Sequence, residues 1–396
     1  MSTESRSFYN VISTRPGFWV SGFLLLGTLL GPLGALLIAW NYYIDADPRI
    51  IGLHFLALNT GYIVASLASQ KLVLRIPLPS LALSSCTLGC IALLSLSLLS
   101  PPLGAVWRIG TLALLGISAG SLATTLLHAL EEPYADSPIQ TLNKSGLMFG
   151  IGCLLATVVT GALYSTHWLP NTTALLALIP FAYLLRYART KSPIPPRPAP
   201  QSSTEVRAIA VFLLTLLLFF QFGNEWAIAG WLPLFLIHTL GSNPGSAIFA
   251  LALYFLVLIL GRFLGQRVMG TASPRRLLIA SLAVAISGYL LLALTQSLAD
   301  AYVGFILAGL GFGPIYPLLM EHLDARFSYR PGFYNRLLSV AVTGAMCTPW
   351  ILGYVDAWLG MRFVMLVPAF GSIAVLILAL LIVFEARLMS EKPVAV

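Results

Sequence analysis

Charge is what this sequence has least of: Asp, Glu, Lys and Arg make up 9% of its 396 residues, where an average soluble domain carries roughly a quarter. Acids are scarcer than bases, 14 against 22, which leaves a formal charge of +8. With 58% hydrophobic residues, the chain has far more apolar surface than a water-soluble fold of this length can bury, and a soluble architecture is excluded. Cysteines are few, and Cys86, Cys90, Cys153 and Cys347 all fall in apolar stretches, which speaks against a disulfide framework or a zinc site. No cluster of His, Asp or Cys of the kind a catalytic centre needs is present, and no cofactor-binding motif survives its context. GLGFG at Gly309 to Gly313 imitates part of a dinucleotide fingerprint, but it lies inside an apolar run with no strand before it. Basic patches interleaved with aromatics are also missing, so the surplus of Lys and Arg does not point to nucleic acid.

What the sequence does have is long apolar runs. A membrane-spanning helix needs about 20 consecutive apolar residues, and such runs recur from end to end. They predict twelve helices, near residues 18–40, 51–70, 80–100, 104–130, 142–166, 171–187, 208–238, 245–266, 276–297, 300–322, 333–355 and 361–385. Lipid is therefore the expected solvent and membrane lipids an expected partner. Basic residues concentrate in alternate loops, among them Lys71, Arg75, Lys144, Arg186, Arg189, Arg262, Arg267, Arg275, Arg276, Arg330 and Arg336, while Arg49, Arg108 and Arg362 fall at the other face. Cytoplasmic loops retain Lys and Arg, so a multi-pass protein of the inner or plasma membrane with both termini in the cytoplasm is expected.

Residues 189–207 contain KSPIPPRPAPQSS, which cannot continue a helix. This divides the chain into an N-terminal six-helix bundle, 1–188, a linker, and a C-terminal six-helix bundle, 208–396. The halves share weak similarity at a shift of about 192 residues. Asn143 and Lys144 align with Asn335 and Arg336, Gly152 and Gly161 with Gly344 and Gly353, Gly116 and Gly120 with Gly309 and Gly313, and Arg75 with Arg267. With this layout, GRFLGQR at Gly261 to Arg267 and GLGFGPIYP at Gly309 to Pro317 resemble the basic loop motif and the tenth helix of the major facilitator superfamily. The counterpart loop SLASQKLVLR, Ser66 to Arg75, departs from the family pattern by lacking its Asp. FGNEWAIAGWLPLFL, Phe222 to Leu236, and LNKSGLMFGIG, Leu142 to Gly152, are similar to helices 7 and 5 of the branch that holds the fucose permeases and sodium-dependent glucose transporters. The resemblance implies an all-α integral membrane fold of two pseudo-symmetric six-helix bundles, a monomer, and a secondary transporter. The acidic residues that proton-coupled fucose permeases carry in helices 1 and 4 have no counterpart here.

Glu225 is the carboxylate that lies well inside an apolar run. An ionisable group at membrane depth costs several kcal/mol unless it faces a polar cavity or a partner, which makes it the leading candidate for ion coupling; it can carry a proton between the two faces or help to hold sodium. Its alternative role is a structural pair with an arginine such as Arg108. Gln221, Asn224 and Glu225 stand at i, i+3 and i+4, on one helix face. With Trp226, Trp231, Tyr316, Trp350 and Asn59 they form the expected binding set for a small-molecule solute. Aromatic faces and amides suit a sugar or another polyhydroxylated molecule. Arg262, Arg267 and Arg75 are expected at a cytoplasmic gate, with Glu131, Glu132, Glu321 and Asp324 as acidic partners. For Trp40 and Trp168, near helix ends, an interfacial anchor is expected. Aliphatic helix walls also allow an exporter of drugs, lipids or metabolites, although the Gly-Pro step usual in helix 5 of family antiporters is missing between Gly146 and Gly161.

Overall fold

A computed structural model describes residues 16–101, 103–131, 138–166, 172–190, 208–268, 273–326 and 330–390. Most of the expected linker, residues 191–207, lies outside them, as do Glu132 and Trp168, and of Asp324 only the backbone is described. Among the described residues there is no β-strand. We number the helices α1 to α12. α1 is three consecutive segments, Pro16–Val20, Gly22–Leu30 and Leu33–Ala39. α2 to α5 span Pro48–Leu72, Leu78–Leu98, Ala105–Ala129 and Pro138–Ser165, and α6 is the pair Thr172–Leu176 and Leu178–Ala188. α7 to α9 span Ala208–Leu240, Pro244–Val268 and Pro274–Leu294; α10 is Leu298–Phe312 followed by Ile315–Arg326; α11 and α12 are Pro331–Leu359 and Met361–Ser390. Eleven of these are long and apolar enough to cross a bilayer, and Thr172–Ala188 is a shorter apolar helix.

Local chemistry explains the breaks. α1 is interrupted at Gly31-Pro32, where proline has no N–H for the ladder, and α10 is interrupted in the same way at Gly313-Pro314. Pro233, inside α7, leaves the Ala229 carbonyl without its helical donor, and that carbonyl faces Gly34 of α1. α1 is almost wholly buried, whereas α9 and α12 expose more of their length to the surroundings. Leu98, Val106, Trp107, Phe212, Phe370 and similar exposed apolar side chains form the lateral surface, the arrangement that lipid rather than water tolerates. The protein is an integral, multi-pass membrane protein.

Its two six-helix halves are visibly related in how their helices touch. Where α5 crosses α1, a Cβ on Gly152 would run into the Leu24 carbonyl and one on Gly27 into the Phe149 carbonyl. At the equivalent crossing of α11 and α7, Gly344 meets the Phe219 carbonyl, and Gly223 meets the Thr348 hydroxyl and the Gly344 carbonyl. The repeat read from the sequence is thus a repeat of close backbone approaches, where small residues let helices pack without a hydrophobic driving force.

The halves meet along α2 and α11, α5 and α8, and α1 and α7. Toward the face away from the basic helix ends, backbone packs on backbone: Gly52 against Trp350 and Gly353 against the Pro48 carbonyl. Toward the basic face the contact is a set of neutral hydrogen bonds. Asn335 donates to the Ser66 hydroxyl at 2.9 Å and accepts from Thr124 at 3.1 Å, and the hydroxyls of Ser66 and Ser339 lie 2.8 Å apart. Arg75 and Arg267, expected as a charged gate, are exposed. Among the described residues neither takes part in an ion pair; Arg267 lies over the ring of Phe263 at 4.5 Å. The acid missing from Ser66 to Arg75 is consistent with this, since the described latch is built from hydroxyls and an amide. Asn335→Ala is expected to loosen it, raising several-fold the maleimide labelling rate of a cysteine placed at Leu338 in a background free of native cysteines; an unchanged rate would show that the latch does not hold this face.

Candidate functional site

Glu225 stands near the middle of α7 and is buried, with its carboxylate Oε1 accepting a hydrogen bond from Arg262 at 2.7 Å. Arg262 lies within α8, 3% exposed, so it belongs to the protein interior and the expected place for it in a gate loop is corrected. The apolar run Pro244–Val268 carries it into the protein because a buried carboxylate on the neighbouring helix offsets its charge. Its second terminal nitrogen donates to the Gly146 carbonyl of α5 at 2.9 Å, so one guanidinium ties α7 and α8 of one half to α5 of the other. Tyr316 lies against it, ring centroid 5.1 Å from the guanidinium carbon. The backbone carbonyls of Glu225 and Asn224 accept from Tyr254 and Tyr289, the first at 2.9 Å. These bonds fix the register of α7 against α8 and α9.

Arg108 is not the partner of Glu225. It sits at the far face, donating to the carbonyls of Leu99 and Leu103 at 3.0 and 2.8 Å and to the Tyr42 hydroxyl at 3.3 and 3.0 Å. Trp40, expected as an interfacial anchor, is buried beneath that guanidinium, 5.7 Å away. Exposed Trp107 and Trp358 are better placed for an anchor's role.

Two adjoining cavities, with empty volumes of about 500 and 550 Å³ including their open mouths, lie between the halves and share Phe23, Ser145, Phe222, Tyr316 and Leu338. One extends toward Leu127, Leu142 and Tyr334, near the basic helix ends. The other reaches Phe149, Trp226, Met346 and Arg262. Of the expected binding set, this brings Trp226 and Tyr316 together on one wall, with Arg262 beside them.

The others go elsewhere. Gln221 and Asn224 are buried but do not line either cavity; Asn224 Oδ1 lies against Gly371 of α12. Trp231 is fully buried and donates its indole N–H to the Pro349 carbonyl at 2.9 Å, which joins α7 to α11. Trp350 packs on Tyr354 toward the far face. Asn59 bridges the halves, its amide nitrogen 3.6 Å from Cys347 Sγ. Helical phase explains the division: Phe222 and Trp226, one turn apart, face the cavity, while Asn224 and Glu225 turn into their own half, toward Gly371 and Arg262. Phe23, Phe149 and Ser145 line the cavity and were not singled out in the sequence, where an aromatic in an apolar run carries no signal.

The Major Facilitator Superfamily profile matches residues 140–334 and 214–395, which together cover more than half of the chain. A curated MFS-type transporter of Yersinia pestis, itself uncharacterized, is 26% identical over 170 residues, 42% of this chain and 43% of its own length. Among solved structures, the fucose:proton symporter FucP of E. coli shares 17% identity with a TM-score of 0.66, covering 93% of this chain and 98% of that one. The nucleoside transporter NupG shares 12% identity with a TM-score of 0.69, covering 92% and 98%. A bacterial homolog of the lysosomal transporter Spinster shares 13% with a TM-score of 0.65, covering 96% of each. This chain belongs to the Major Facilitator Superfamily: it is a membrane transport protein and not an enzyme.

Proposed function

We propose that this protein is a secondary active transporter that moves a small solute by alternating access, with a proton taken up and released at Glu225 as the coupling event. The observation that carries this reading is the buried Glu225–Arg262 pair, whose arginine lines the central cavity and also bonds across to the other half. A change in the charge of Glu225 alters what Arg262 holds, and Arg262 touches both rocking bodies. Sodium is a poorer candidate, because a guanidinium 2.7 Å from the carboxylate repels a second cation. The basic face is taken as cytoplasmic, and the protein as a monomer.

For the solute, the cavity favours an amphipathic molecule whose apolar or aromatic body lies on Trp226, Tyr316 and Phe222. A free hexose needs many donors and acceptors, and the amides of Gln221 and Asn224 do not reach the cavity. A sugar is the second reading: the ring faces of Trp226 and Tyr316 suit a hexose, and FucP is a fucose:proton symporter. The test is uptake into proteoliposomes of labelled fucose, galactose, glucose, uridine and p-aminohippurate under imposed proton or sodium gradients of either direction. Accumulation driven by the proton gradient is expected for at least one of them. Accumulation driven by sodium alone would overturn the coupling, and accumulation of a hexose with none of p-aminohippurate would establish the sugar reading instead.

A further inference from the structure

The charge balance of the cavity limits what it can take. Among the described residues that line it, Arg262 is the cation, and the remainder of that wall is aromatic and aliphatic apart from Ser145. Although the residue is 97% buried by its 3% exposure, its Nε–H has no hydrogen-bond partner. A buried charged donor left unsatisfied is costly, and beside a cavity it marks a place for an acceptor brought by a ligand. Glu225 occupies one terminal nitrogen and Gly146 the other, so an acceptor that engages this guanidinium has the unpartnered Nε–H to satisfy and competes with the carboxylate for the same fork.

From this we infer that the solute is a monoanionic amphipath, a carboxylate with an aromatic or aliphatic body, which binds Arg262 in exchange for Glu225 while Glu225 takes up a proton. The inference deepens the transporter reading above and rests on it for the coupling ion. In the empty site Glu225 and Arg262 carry −1 and +1. When the carboxylate pairs with Arg262, Glu225 loses its counter-charge at membrane depth, and protonation removes the unpaired buried charge. The loaded site then holds a neutral acid, a guanidinium and a carboxylate, and its net charge is again zero. Dianions would leave it negative, and neutral solutes would leave the ion pair intact with nothing to trigger proton uptake. The groups facing Glu225 from its neighbours are Arg262 and Tyr254 of α8, Tyr289 of α9, Tyr316 of α10 and Cys153 of α5. With no second carboxylate among these described neighbours, the proton has Glu225 as its acceptor.

The experiment is calorimetric binding to the purified full chain in lipid nanodiscs. 3-Phenylpropionate and p-aminohippurate are each set against their neutral amides, in buffers of different ionisation enthalpy. At least one acid is expected to bind tenfold or more tighter than its amide, with close to one proton taken up per anion at pH 7. Its Kd is then expected to rise nearly tenfold per pH unit where the uptake is complete. In Glu225→Gln the acid is expected to bind with no proton uptake. In the doubly neutral Glu225→Gln/Arg262→Gln, which leaves no buried charge to unfold the site, the preference for the acid is expected to vanish. Equal binding of acid and amide, lack of acid binding altogether, binding without proton uptake in the native protein, or a preference that survives in the double variant would each overturn the proposal. Failure of the transporter reading looks different: there, the acid binds with its proton but no solute is accumulated under any gradient.

Discussion

Replacing Arg262 with methionine is expected to lower the stability of the folded protein by about 3–5 kcal/mol, the usual consequence of stripping one partner from a buried ion pair. Methionine keeps the unbranched bulk of the arginine stem, so the loss measures charge rather than a cavity. Two hydrogen bonds and a packing contact disappear together: the bond to Glu225 at 2.7 Å, the bond to the Gly146 carbonyl at 2.9 Å, and the packing on Tyr316. Thermal or denaturant unfolding in mild detergent is the measurement. The control is the double variant Glu225→Gln/Arg262→Met, in which no buried charge is left unpaired. It is expected to recover most of the stability and none of the driven transport. If the single variant is as stable as the native protein, the pair is not the buried interaction described above.

Glu225→Gln is expected to separate movement from drive. Glutamine keeps the shape and an acceptor oxygen for Arg262 but cannot release a proton. Solute exchange across proteoliposomes should therefore persist, while accumulation against a gradient falls at least tenfold, to the equilibrium level. Loss of both by the same factor would assign Glu225 to packing, and retention of both would remove it from the coupling. Comparing initial rates of counterflow with steady-state accumulation in one preparation distinguishes the three outcomes.

Much of the architecture was legible because lipid leaves so few options: a long apolar run in this composition is a helix, and the count and the repeated glycines followed. The repeat-related glycines at 152 and 344 were visible as letters, and the structure gives them their reason in the carbonyls of Leu24 and Phe219. Within the site, Glu225 was legible as a lone acid in an apolar run. Its partner was misplaced. Arg262 falls inside the expected eighth helix, four residues from its end, and counting basic residues toward orientation absorbed it into the gate. An intramembrane acid calls for an intramembrane base, and that pairing was the available signal. Gln221 and Asn224 were grouped with Glu225 by helical phase, yet phase alone does not say which face looks into the cavity. That depends on how α7 is rotated against α8, α9 and α12, and the bonds from Tyr254 and Tyr289 to its carbonyls set it. Among the described residues Arg75 and Arg267 lie at the surface, and Asn335, Ser66 and Thr124 join the halves with hydroxyl and amide bonds that carry no compositional signature.

The most direct measurement records internal pH with a trapped dye in proteoliposomes when an accumulated solute is added to an otherwise resting preparation. Proton entry that rises in step with solute entry, and that is absent from Glu225→Gln vesicles still capable of exchange, is the expected result. Solute entry without proton movement in the native protein, or proton entry undiminished in Glu225→Gln, would contradict the central claim that the two are joined at Glu225.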